Sequence, residues 1–228
     1  MSDCNRLSFF EIILAALLLI GIHPLFKSFK ATVPYLLVYL SLFASPVWAD
    51  TPTVLIKSAV DQAINTLTDP YLQGEDKKEE RRTLLRQIIL SRFDFREMAK
   101  RSLGTHWLKR SREDKSEFVR LFTNFVEKVY LGGIESYNNG AKFIYSNEKI
   151  EGRYAEVGSE ILTFDGEEFQ INYKLHRVGK EWKIYDIVVE NISLINNYRS
   201  QFNRIITKTS YDELVSMMRQ KLSKTTKK

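Results

Sequence analysis

The spacing of large apolar residues changes period twice along this chain, and that change constrains the fold more than any other feature. After residue 51 these side chains recur every three or four positions, from 141 they alternate, and from 194 the longer spacing returns. The second change falls inside residues 182–206. Trp182, Ile184, Tyr185, Ile187, Val188 and Val189 read as a strand, and Asn191–Ser193 as a cap. Leu194, Ile195, Tyr198, Phe202, Ile205 and Ile206 then share one face of a helix. Helices, then strands in meander order, then helices again is the pattern of an α+β domain.

The first helical run spans Thr51 to Leu67, with Val54, Leu55, Ala59, Ala63 and Leu67 as its stripe and Pro52 tolerated in the first turn. Asp69–Pro70 and Gly74 break it. Glu75 to Leu90 follows, with Leu84, Leu85, Ile88 and Ile89 on its inner edge, then Arg92 to Leu103, stopped by Gly104 as a left-handed cap. Ser111 and Asp114 open a long, aromatic helix carrying Phe118, Leu121, Phe122, Phe125, Val126, Val129, Tyr130, Ile134 and Tyr137. Gly132 and Gly133 weaken its late part, and Asn138–Gly140 ends it.

Ala141–Ile150 and Arg153–Phe164 are the first two expected strands, and Asp165–Gly166 is a tight-turn signal. Phe169, Ile171, Tyr173 and Leu175 alternate with Gln170, Asn172, Lys174 and His176, which predicts one apolar and one wet sheet face. Gly179 turns the chain into the Trp182 strand. A last helix opens at Ser210 and Glu213 and buries Leu214, Val215, Met218 and Leu222. The expected architecture is a curved antiparallel sheet of about four strands wrapped by about six helices.

Residues 1–49 read as an export signal and stand apart from the 50–228 domain. Lys27 and Lys30 form a positive flank, Tyr35–Ala44 an apolar core, and Val47 and Ala49 precede a cleavage point before Asp50. A second apolar run, Phe9–Ile22, lies upstream and contains Glu11. Three readings fit it: a start assigned too early, a long cleaved leader, or a retained membrane hairpin. Each run falls short of the roughly 20 apolar residues of a comfortable span. The single cysteine, Cys4, lies upstream, so the exported region forms no disulfide and carries no cysteine for lipid anchoring. The expectation is a cleaved, soluble, monomeric protein of the periplasm.

A net charge of +6 is spread along the helices, outside Lys77–Lys78, Arg81–Arg82 and the Lys224–Lys228 tail. Nucleic-acid binding wants a focused patch, so that class is set aside. No nucleophile elbow or phosphate loop is present. His106 and His176 without a cysteine make zinc an unsuitable cofactor. The enzyme alternative is a cavity-bearing isomerase or dehydratase recruiting Asp94, Asp186, His106 or His176 for acid–base work. Against it, Asp94 reads as a helix cap, Asp186 as a structural hydrogen-bonder, and both histidines as surface residues.

Trp182, Tyr185, Asp186, Ser193, Leu194, Ile195, Asn197, Tyr198, Arg199, Gln201 and Phe202 resemble the C-terminal signature of the periplasmic phospholipid-binding proteins of the Mla pathway, the MlaC or toluene-tolerance family. Phe93, Asp94, Phe95, Met98, Ala99, Leu103, Gly104 and Trp107 are similar to its FDF…MA…LG..W stretch, and Phe118, Phe122, Tyr130 and Tyr137 to its aromatic helix. Asn191 stands where the family usually has glycine, and Thr209–Ser210 replaces another glycine turn.

The resemblance implies a non-catalytic carrier with an apolar pocket for acyl tails. Its cargo is phospholipid rather than a cofactor. Its partners are an outer-membrane lipoprotein complex and an inner-membrane transporter bearing an MCE-domain ring. Exposing about 30 tail methylenes at ~0.8 kcal/mol each would cost about 24 kcal/mol, which is why such a carrier is needed. About 800 Å³ would hold two tails. The candidate lining residues are Val126, Tyr130, Ile134, Tyr137, Phe169, Ile171, Tyr173, Trp182 and Ile184, for each of which core packing is the competing assignment.

Overall fold

The computed structural model describes residues 51–135, 141–163 and 166–223. The export segment, Tyr137, the Asn138–Gly140 stop, Asp165 and the Lys224–Lys228 tail lie outside them.

Helix α1 is Pro52–Thr68. Thr51 caps it by accepting from the Val54 amide at 3.3 Å, and the Thr53 amide donates to the Glu148 carboxylate at 2.7 Å. Those bonds satisfy amides that a helix start otherwise leaves unpaired. Two short 3-10 turns, Pro70–Leu72 and Glu75–Lys77, lead into α2, Lys78–Arg92. Asp94 caps α3, Phe95–Leu103, and Gly104 ends it at φ 56° before a 3-10 stretch, Gly104–Lys109. A capping box opens α4, Arg112–Glu135. The Asp114 amide donates to Ser111 Oγ at 3.0 Å, and the Ser111 amide donates to Asp114 Oδ2 at 3.2 Å.

Five strands follow: β1 Lys142–Glu151, β2 Tyr154–Leu162, β3 Glu168–Val178, β4 Glu181–Val189 and the short β5 Ile192–Ser193. They form one antiparallel sheet in chain order, not closed into a barrel. The fifth strand is one more than the alternation predicts. It is only two residues long, too short to show a period. Helices α5, Leu194–Lys208, and α6, Tyr211–Ser223, complete the domain.

The interior divides into two clusters. Phe95, Met98, Leu103, Trp107, Phe118, Phe122, Tyr198, Phe202, Leu214 and Met218 belong to a core built by α3 to α6. Its aromatic rings meet edge to face, Phe118 with Phe202 at 5.9 Å and Phe122 with Tyr198 at 5.7 Å between centroids. The second cluster packs Leu55 and Ile56 of α1 against Val157, Tyr173, Leu175, Trp182 and Ile184 of the sheet. Phe93 touches both. Its backbone bridges to Ile184, whose carbonyl accepts from the Asp94 amide at 2.8 Å, so this junction covers the edge that β5 is too short to reach.

The sheet face expected to be wet is covered at one end. His176 and Asp186 are buried there. His176 pairs with Asp94 at 3.0 Å, and Arg101 of α3 lies 4.0 Å over the Tyr185 ring. A bulge between Lys174 and Leu175 in the β3–β4 register re-aims Tyr185 toward that helix. His176 is therefore no surface residue. Strand alternation reports a side chain's face but not which faces the helices later cover.

Candidate functional site

Directly paired residues of an antiparallel sheet project from the same face. The register therefore places Phe143, Ile161 and Phe169 in one row, and Tyr145, Ser159, Ile171, Val189 and Ile192 in the next. Val157, Tyr173 and Ile187 form a third row, and Ala155, Leu175 and Ile184 a fourth. All belong to one face, apolar except for three hydroxyls and, opposite Val157 on β1, the Glu148 carboxylate that accepts from α1. A bulge between Tyr145 and Asn147 interrupts β1 and hides its contribution from a strict period of two.

Helix α1 closes the third and fourth rows, where Val157, Leu175 and Ile184 are almost fully buried. The first row and the β4–β5 end of the second are open. Phe169 keeps 36% of its surface accessible, Val189 40% and Ile192 65%. Exposed apolar residues gathered on one face carry more meaning than the same residues scattered singly.

The corner below that open half is held in an unusual backbone. Glu190 and Asn191 have φ of 47° and 64°, the left-handed region that asparagine tolerates and glutamate rarely enters. Glu190 is fixed there by donating its amide to the Gln170 carbonyl at 3.0 Å and accepting the Gln170 amide on its carboxylate at 2.6 Å. Asn191 fills the role expected of it as a glycine substitute. The positive φ of Glu190 has no signal in the sequence.

The candidate lining residues fall in different places. Tyr173, Trp182 and Ile184 pack against α1, with Ile171 at the margin of that cluster and Phe169 beyond it in the open half. Val126 is buried with Phe122, Phe125 and Tyr198 in the helical core. Tyr130 is 41% accessible and its hydroxyl accepts from that of Tyr198 at 3.4 Å. Ile134 is half-buried on the same helix. The Arg86–Glu127 pair, 2.7 Å apart, ties α2 to the middle of α4. Sequence reasoning missed Phe143, Tyr145, Ile161, Val189 and Ile192. An alternation scan of β1 and β2 that allowed one bulge would have found the first three.

The acid–base candidates are engaged elsewhere. Asp94 Oδ1 accepts from the Glu97 amide at 2.9 Å, while its other oxygen meets His176. Asp186 accepts from the Ser193 hydroxyl at 2.6 Å and from the Ile195 amide at 3.1 Å, which fastens the start of α5 to β4. His106 is hydrogen-bonded to Asn203 at 2.9 Å. Among the described residues, no group of three or more metal-ligating side chains occurs, and no helix is long and apolar enough to cross a membrane. Burial raises the phenol pKa of Tyr173, Tyr185 and Tyr198, and pushes that of Tyr211 up to about 12, so these hydroxyls stay protonated at neutral pH.

An unclosed antiparallel sheet with helices packed on both sides is an architecture shared with a solved structure. That structure is of a phospholipid-binding protein from Ralstonia solanacearum in complex with a phospholipid. It superposes with a TM-score of 0.68 at 24% identity, over 78% of this chain and 99% of the other. Residues 57–220 match the family described as MlaC protein, and the chain belongs to that family. It is 23% identical over 177 residues to the intermembrane phospholipid transport system binding protein MlaC of Haemophilus influenzae, covering 76% of this chain and 83% of the relative. Over 94 residues it is 26% identical to the toluene tolerance protein ttg2D of Pseudomonas putida, spanning 41% and 44% of the two.

Proposed function

We propose that this chain is a periplasmic phospholipid carrier. It shields acyl tails against the open half of the apolar sheet face and passes lipid between outer-membrane and inner-membrane complexes. The observation that carries the reading is that half-open face, in a chain whose family includes a phospholipid transport system binding protein. Phe143, Ile161, Phe169, Ile171 and Val189 offer hydrocarbon a surface equivalent to the bilayer interior it leaves. Transfer then costs little in either direction, which lets the same protein load and unload. The tails need not find charged partners, and selectivity rests on what the lipid carries above them.

The carrier is non-catalytic on this reading, since Asp94, Asp186, His106 and His176 serve caps and element junctions. Residues 1–49 direct export and are removed after Ala49, leaving residues 50–228 as one monomeric lipid-binding domain. Its partners are an MCE-domain transporter at the inner membrane and a lipoprotein complex at the outer membrane. The protein expressed from its full sequence in bacteria, purified without detergent and extracted with organic solvent, should release phospholipid near one molecule per chain by mass spectrometry. Lipid far below stoichiometry, with turnover of a small carbonyl compound, would point to the enzyme alternative instead.

A further inference from the structure

The apolar face carries three hydroxyls, Tyr145, Ser159 and Tyr173, on neighbouring strands. Two of them are accounted for. Ser159 Oγ donates to the Ile171 carbonyl at 3.3 Å, and the Tyr173 hydroxyl is hydrogen-bonded with Ser159. The Tyr145 hydroxyl is shielded from solvent and has no hydrogen-bond partner among the described residues. Buried hydroxyls are almost always paired, and one left alone forfeits its hydration without compensation.

Tyr145 sits in the second row of the face, between the part closed by α1 and the part left open. Apolar ligand sites commonly hold a few placed polar groups that fix the ligand's orientation. Burial, then the neighbouring Tyr173 and Asp61, raises the Tyr145 pKa, so the group is a neutral donor at physiological pH. The acceptors that a diacyl glycerophospholipid carries directly beside its tails are its ester carbonyls.

On the carrier reading above, we propose that Tyr145 is a ligand-binding residue whose hydroxyl donates a hydrogen bond to an ester carbonyl of the bound lipid. The protein therefore distinguishes ester-linked from ether-linked lipids of the same tails and headgroup. An ether lipid presents no carbonyl and offers the phenol only the weaker acceptor of its ether oxygen.

The test is a competition. The protein expressed from its full sequence is equilibrated with vesicles holding equal amounts of diacyl and dialkyl phosphatidylethanolamine with matched chains, and the bound lipids are extracted and compared by mass spectrometry. The native protein should retain the ester lipid about fivefold over the ether lipid, the preference expected of one neutral hydrogen bond. Tyr145→Phe should bring that ratio close to one while total bound lipid stays high. Tyr173→Phe, which alters a hydroxyl already paired, should leave the ratio near the native value. An unbiased native ratio, or a Tyr145→Phe ratio equal to the native one, overturns the proposal while leaving carriage intact. Retention of neither lipid by the native protein overturns both.

Discussion

Glu97 illustrates how single residues set the pH response. Burial raises its pKa, but hydrogen bonds and charge from Lys100 and Arg101 outweigh this and leave it below the ordinary value. A carboxylate with a depressed folded pKa adds stability above its unfolded pKa of about 4.3 and loses it as pH falls through the folded value. The urea midpoint should therefore drop in acid below about pH 4.5, and Glu97→Gln should flatten that part of the profile. Asp186 belongs to the same scale, since its carboxylate answers both the Ser193 hydroxyl and the Ile195 amide. Asp186→Ala strands that buried amide and should cost about 1–3 kcal/mol by urea denaturation. The sequence made Asp94 legible as a cap because it lies directly before a helix, whereas the partners of Asp186, inside β4, come from the next helix start and are brought to it by the fold. His176 was misread, for its burial depends on Asp94 and Tyr185, which are distant from it or on the next strand.

At the scale of elements, the helix starts were legible because capping is local. Thr51, Asp94, Ser111, Ser193 and Ser210 each bond an amide three residues on. The bulges were not legible, since an extra residue in one strand is defined only by its partner strand. The β4–β5 corner combines both kinds. Asn191 at φ 64° can be read as a glycine substitute, and a β-branched residue there would be strained. Asn191→Val should lower stability by about 1–2 kcal/mol, whereas Asn191→Gly should change it little, both measured as urea midpoints. Phe118 is fully buried among Phe122, Phe202 and Tyr211, and Phe118→Ala should cost about 3–5 kcal/mol.

Over the whole molecule, the helical core and the sheet cluster divide the work. The first is tightly packed and positions α5, and the second leaves half of a greasy face uncovered. A charge placed on the open half should remove lipid without unfolding the chain, because Ile171 lies at the margin of its cluster rather than in its centre. Ile171→Lys should reduce co-purifying phospholipid at least tenfold while the circular dichroism spectrum stays native. A desolvated ammonium against hydrocarbon costs several kcal/mol, ample for that loss. Tyr130→Glu tests the α4 side in the same way, with unchanged lipid content removing Tyr130 from the lipid-binding surface.

The residue spacing by itself determined the class of fold and the order of its elements, because periodicity and caps act within a few residues. It also located a greasy sheet surface through Phe169, Ile171 and Tyr173. Only the tertiary structure decided which half of that surface α1 covers, that Trp182 and Ile184 lie under it, and that the Tyr145 hydroxyl finds no partner among the described residues. Those outcomes follow from packing between segments far apart in the chain, such as Leu55 and Trp182, and no local pattern records which distant helix settles on which row.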